Sequence, residues 1–556
     1  MKMRTHDNAK ERRHSCRRLH SAKRPFSFAW LSRFARIGKW ALRAFAYGDR
    51  NVAAPWALAL FLASAAWTHA AAPLADAAEK ADWPRVETLL KERAEVKSAQ
   101  PDGTTALHWA AHHDHVASVQ SLLGAGADAK AANQYGVAPL SLACVNGSEA
   151  AISALLDAGA DANTTTRGGE SALMTAARTG RTGAVKVLLA RGAKLDATDR
   201  KGQTALMWAA ADGHAAVVTQ LLAAGAARDT RVASGFTAFL FAARQGRIEV
   251  IRTLLAAGVD ANEAIETDKG GGRQPDAGTS ALLLAVKNGH FELALELVKA
   301  GANPNDQRTG FTPLHTLTWV RKPPRGDDLD GQPPPDGSGN VTALDFARRL
   351  IAAGAKVNTQ LDERAKGRGK LKLHGATPLL MAAKNADLDY MKLLVELGDD
   401  ANLPNKDGAT PLLAAAGLGC FAPDEEAGTE AECLEAVAWL LKQGGDINTV
   451  DKNGETAMHG AAYKSLPKMV QFLAAHGAKP EVWNRKNKSG WTPVLIAEGF
   501  RPGNFKPSHE TLAALHEVMR AAGLPIPPPT PRPTEEPKGY DDGATPPPAK
   551  EKKKSP

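Results

Sequence analysis

The chain is poor in the residues from which disulfide frameworks and metal centres are made. Only four cysteines, Cys16, Cys144, Cys420 and Cys433, stand among 556 residues, too few and too scattered for a disulfide-rich scaffold. No C-x-x-C or C-x-x-C-H occurs, which excludes zinc ribbons, thioredoxin-like redox pairs and c-type haem attachment. H-E-x-x-H is missing, and no glycine-rich run ends in G-K-[ST]. The usual metalloprotease and phosphate-loop signatures are therefore absent. Aromatics make up 6% of the chain. The apolar run AAPWALALFLASAA at 53–66 has 14 residues, short of the roughly 20 that a membrane helix needs.

Charge is unevenly placed. The whole chain carries +9, but residues 1–50 alone carry +11, leaving −2 for residues 51–556. The basic pI thus belongs to an N-terminal arm and is no sign that the body binds nucleic acid. The arm, 1–50, is expected to be disordered. The segment 51–70 has the length and flanks of an export signal: Arg50 precedes the apolar run, and Thr68-His69-Ala70 suits cleavage after Ala70. The arm is long for such a signal, which leaves an over-long start or an extended targeting arm as readings. Arg12-Arg13 and Arg17-Arg18 lie too far upstream for a twin-arginine signal. The expected location is periplasmic or secreted; the alternative is an inner-membrane anchor, with membrane contact only if the apolar segment is retained. Beyond Pro525 the chain is rich in proline and lysine and is expected to be a disordered tail.

What the chain does have is a ladder of glycines. Gly103, Gly136, Gly169, Gly202 and Gly235 are 33 residues apart, and the same glycine recurs at Gly278, Gly310, Gly375, Gly408, Gly454 and Gly490. Just after each comes a helix-opening motif such as TALHWAA (105–111), TALMWAA (204–210), TPLHTLT (312–318) or TPLLMAA (377–383). Thr or Ser there is a good N-cap, and Pro139, Pro313, Pro378, Pro411 and Pro493 fall where a missing N–H costs nothing. A second glycine, as at Gly126, Gly159 and Gly192, follows the second apolar helix, where a left-handed residue is required.

The 33-residue period with T-P-L-H-x-A resembles the ankyrin repeat. The resemblance covers about residues 73–524: eleven full repeats plus a leading half-repeat, LADAAEKADWPRVETLLKERAEVKSAQ (74–100), whose polar face suits an N-terminal cap. It implies an all-α solenoid of helix–turn–helix units with short hairpin turns. The stretch from GETAMHGAAYK to NFKPS also resembles exported bacterial ankyrin-repeat proteins. Departures from the period place inserts near 268–276, 319–340, 359–373, 417–433 and 498–510, where binding often resides.

Enzyme-like groupings are weak. His108, His112, His113 and His115 cluster, and His108/His112 have the spacing of a metal pair. However, His108 is the TPLH histidine and His115 a turn histidine shared with His214 and His290, so no metal, cofactor or catalytic site is expected. Gly270-Gly271-Gly272 reads as a flexible insert. Cys420 and Cys433 bracket a 12-residue segment; in an oxidising compartment a disulfide there would constrain it by roughly 3 kcal/mol, the alternative being two buried thiols.

The resemblance further implies that partners meet the hairpin turns and first helices. The matching positions are Phe236, Phe311 and Trp491 after the turn glycines, and His112, His113, Arg178, Arg244, Gln245, Lys287 and Lys384 at the helix ends, with Trp319 opening an insert. Trp109, Trp208 and Phe241 read as inter-repeat packing. The expected function is a monomeric, non-catalytic scaffold or adaptor for an unidentified protein. The alternatives are a membrane-tethered regulatory or inhibitor subunit of an enzyme, and an enzyme with a site on the 319–340 insert.

Overall fold

The computed structural model describes residues 72–267, 276–324, 334–365, 370–423, 425–501 and 506–530. The arm, the apolar segment through residue 71, Gly270–Gly272, the middle of the 319–340 insert and the tail beyond 530 lie outside the described residues. Twenty-five helices follow one another among the described residues, with three isolated bridges, Ala99–Thr105, Thr165–Ser171 and Ala264–Ser280, at hairpin bases. All but the short Pro480–Trp483 helix pair up as helix–turn–helix units. The expected all-α repeat solenoid is the observed fold, and its helical units run from Pro73 to Ala521.

One repeat shows how the sequence builds the unit. Ser171 accepts the Met174 N–H at 3.2 Å and starts the Ala172–Arg178 helix; the second helix, Thr182–Ala190, ends before Gly192, whose φ is +79°. A left-handed backbone there favours glycine. The alanine pairs Ala176-Ala177, Ala209-Ala210 and Ala242-Ala243 are fully buried. Side chains this small let successive first helices pack backbone against backbone, while Val185, Leu188, Val218, Leu221, Ile251 and Leu254 from the second helices complete the core. A lone pair could not bury these residues, so stability depends on stacking.

The ladder glycines all have positive φ. Gly375 shows a second need: a Cβ added there would lie 2.6 Å from the Lys406 backbone N in the next hairpin. Five of the eleven hairpins are clamped by an Asn or Asp three residues before the glycine, Asn133 among them. Asp199 Oδ1 accepts the Lys201 and Gln203 N–H groups, both at 2.8 Å, and Asn405, Asp451 and Asn487 do the same.

The TPLH histidines join repeats. His108, His315 and His459 place Nδ1 within 2.7–2.9 Å of the N-cap threonine hydroxyl and Nε2 within 3.0–3.2 Å of a carbonyl in the next repeat: Val137, Ala376 and Arg485. The Thr105 N–H also donates to His108 Nδ1. These contacts call for a neutral ring protonated at Nε2. Burial favours that state, pushing the pKa of His315 down to about 3 and that of His459 to about 4.

Three expectations need adjusting. The N-terminal unit is a complete pair, Pro73–Glu79 and Trp83–Lys91, with Asp82 capping the second helix, and not the half-repeat its polar sequence implied. Trp319 does not open an insert: the Pro313–Arg321 helix runs on through it. Residues 430–433 belong to the Glu430–Lys442 helix, which starts at a Thr429/Glu432 capping box.

Candidate protein-binding surface

The eighth residue counted from each first-helix N-cap falls on one side of the stacked first helices. In chain order these residues are His112, Val145, Arg178, Ala211, Arg244, Lys287, Trp319 and Lys384, and the row ends there, for Gly417, the buried Tyr463 and Gly499 follow. His112, Val145, Arg244 and Lys287 are exposed; Arg178, Ala211, Trp319 and Lys384 are half-buried. The row is a product of the period. Residues four positions earlier bury their side chains, so the next helical turn ends toward solvent.

The structure sorts the other candidate residues. His113 and Gln245 are exposed, and Phe311 and Trp491 half-buried. Phe311 and Trp319 meet edge-to-face at 4.8 Å, and Lys370 Nζ lies 4.7 Å from the centre of the Trp491 ring. Phe236 is the exception: at 3% exposure it is a core residue, packed 5.0 Å from Phe241 and covered by the Arg244 guanidinium. Its hairpin brings it back against its own first helix, so it presents no free aromatic face. Lys384 is held by an ion pair with Glu426 at 2.7 Å. Trp109, Trp208 and Phe241 are partly buried against the core, as inter-repeat packing requires.

The histidine cluster separates. His108 is fully buried, His112 and His113 lie against Trp109, and His115 stacks on Trp83 at 4.3 Å while capping the next helix. Among the described residues no group of three or more His, Cys, Asp or Glu side chains is arranged to hold a metal ion. Cys420 and Cys433 are both buried free thiols in this structure. Cys433 faces inward from a helix and accepts from the buried Lys464 ammonium at 3.4 Å, and burial raises the Cys420 thiol to about 12.

A group of buried polar residues escaped the sequence. In regular repeats the second-helix N-cap position carries His214, Arg247 or His290, each donating back to a carbonyl of the preceding repeat at 2.8–3.2 Å. Asp387 takes that position after the 319–340 insert and reverses the polarity. It accepts two hydrogen bonds from Arg321, at 2.7 and 2.9 Å. Beside it, Lys322 donates to the Ala386 carbonyl and to Glu432, and Tyr390 to the Leu314 carbonyl. The insert is thereby tied down at its root. Further along, Glu455 Oε1 accepts from Tyr463 and Asn487, while its buried Oε2 has no partner, and desolvation raises its pKa to about 7. The change from His or Arg to Asp at residue 387 was the visible signal; Glu455 carried none.

Family models described as "Ankyrin repeats (3 copies)" match residues 74–166, 107–199, 173–265 and 427–504; "Ankyrin repeats (many copies)" matches 239–295 and "Ankyrin repeat" 374–406. Neurogenic locus notch homolog protein 1 of Xenopus tropicalis is 31% identical over 183 residues, covering 29% of this chain and 6% of that protein. Inversin of Canis lupus familiaris is 30% identical over 180 residues, covering 32% and 13%. Among solved structures, the human ASB11 ankyrin repeat domain is 27% identical and covers 42% of this chain and 100% of that one, with a TM-score of 0.37.

Proposed function

Since the chain belongs to the ankyrin-repeat family, we propose that it is a non-catalytic scaffold that holds a partner protein along its first-helix row. One observation carries this reading. Val145, Arg244 and Lys287 project from a rigid stack of first helices, each from a different repeat. Rigid elements that present separated side chains suit recognition of an extended surface. A photo-crosslinking residue placed at Val145 or Gln245 is expected to capture a partner protein in the native host. The same residue at Lys392, exposed on a second helix, is expected to capture much less. Equal capture from all three positions would sink the reading.

We also propose export, on the strength of the apolar run at 53–66 and the Thr68-His69-Ala70 site, placing the array in a periplasm or outside the cell of a bacterium. Sequencing of the mature N-terminus is expected to begin after Ala70. A chain that keeps residues 51–70 and sediments with membranes would support the tethered regulatory subunit instead. Among the described residues no helix is long and apolar enough to cross a membrane.

A further inference from the structure

The first-helix row changes character along the array, and from the Ala172–Arg178 helix to the Ala281–Lys287 helix three of its four residues are cations. Arg178 lies over the Trp208 ring, its Cζ 5.5 Å from the ring centre, and Arg244 lies over Phe236 at 5.7 Å. Lys287 follows one repeat later and is exposed, although partial desolvation lowers its pKa and the Asp276 carboxylate acts on it in the opposite sense. Among the described residues none of the three has an ion-pair partner, whereas Arg252, Arg348 and Arg349 on the second helices all have carboxylate partners within 4 Å. Asp212 ends the helix between Arg178 and Arg244 and pairs with neither. Beneath Arg178, the buried Trp208 Nε1–H has no acceptor. A guanidinium resting flat on an aromatic ring keeps its N–H edge for a carboxylate, and an indole N–H can only donate. The surface therefore offers cations, two of them backed by aromatic rings.

We propose that this stretch of the row binds an acidic, extended peptide segment of the partner protein; the proposal rests on the scaffold reading above and names the chemistry of its ligand. The first helices of these four repeats pack in sequence, and packed helices stand about 10 Å apart. Arg178 and Arg244 are thus about 20 Å apart, and Lys287 about 10 Å further. An extended chain in the polyproline II conformation rises about 3.1 Å per residue and turns once every three, so about ten residues span the stretch, with acidic side chains at the first, seventh and tenth sharing one side. Nucleic acid fits less well. Three cations are a small footprint for a phosphate backbone, and residues 51–556 sum to −2.

The test uses the full chain and a fluorescent deca-glutamate peptide, with binding read by anisotropy at low and moderate salt. The variant Arg178→Gln/Arg244→Gln/Lys287→Gln is expected to bind at least tenfold more weakly than wild type. A charge-matched control, Arg252→Gln/Arg348→Gln/Arg349→Gln, removes three paired cations and is expected to stay within twofold. Circular dichroism checks that both remain folded; if the triple variant does not, Arg244→Gln alone, expected to weaken binding about threefold, replaces it. A serine-rich decapeptide with glutamates at positions 1, 7 and 10 is expected to outbind one with glutamates at 4, 5 and 6. Equal binding by the row variant and the control overturns the proposal. So does a ten-nucleotide single-stranded DNA that binds more tightly than the peptide and depends on the same three residues. If crosslinking from Val145 and Gln245 captures a partner that the row variant still binds, the scaffold reading stands and the acidic segment falls.

Discussion

A neutral histidine that bridges two repeats makes stability depend on pH. His315 and His459 have pKa values held near 3 and 4 by burial, against about 6.5 in an unfolded chain. Below pH 6.5 the unfolded chain binds more protons than the folded one, so this contribution is complete above 6.5 and is lost as pH falls toward 4 and 3. His315→Gln, which cannot titrate, is expected to lose less stability between pH 7 and 4.5 than wild type does, as read from urea midpoints, while being about 1–3 kcal/mol less stable at pH 7. Glu455 acts with the opposite sign. Its pKa, raised to about 7, means that ionising it costs stability as pH rises from about 4.5 through 7. Glu455→Gln is therefore expected to gain on the order of 1–2 kcal/mol at pH 8 and nothing at pH 4, a difference that thermal melts at the two pH values would show. At this scale the sequence was legible where a motif repeated: Thr312 to His315 declared its own contacts. Phe236 was not. Whether the residue after a turn glycine faces out or folds back depends on what its own first helix offers, and here Phe241 and Arg244 receive it.

Helix pairs were the most legible elements, because capping residues, the proline position and glycine spacing all agree. The turn glycines should be correspondingly intolerant. Gly375→Ala places a Cβ 2.6 Å from the Lys406 N at a φ of +82°, and is expected to cost about 1–3 kcal/mol. Gly192→Ala, at φ +79° but with open space around it, should cost only the conformational part, about 1 kcal/mol. Comparing the two by chemical denaturation separates backbone strain from crowding. The interrupted elements were less readable. Trp319, taken as the start of an insert, continues a helix because Val320 has core to bury in and Arg321 has Asp387 to reach. That partner is 66 residues away, beyond anything local spacing reveals.

For the whole molecule, helix packing runs between neighbouring repeats, and damage should stay local except where Lys322 and Lys370 reach past a neighbour to Glu432 and Trp491. Asp387→Ala strands the half-buried Arg321 guanidinium and is expected to cost about 3 kcal/mol. Hydrogen exchange should quicken in the repeats spanning 313–396 and leave those spanning 106–223 unchanged; uniform quickening would mean that the array unfolds as one body. The sequence could count the repeats but not say how firmly each junction is made. One junction has a consequence for synthesis. The bond from His108 to Val137 spans 29 residues, and that from His315 to Ala376 spans 61. Closing the longer stretch costs only about 0.7 kcal/mol more, but a ribosome must make twice as much chain before the second bond has its acceptor. A nascent chain thus leaves the exit tunnel with its early repeats docking about one unit behind translation. It then crosses a long interval in which the Pro313–Arg321 helix has emerged and its neighbour has not, and in that interval a chaperone would find the apolar side of this helix uncovered.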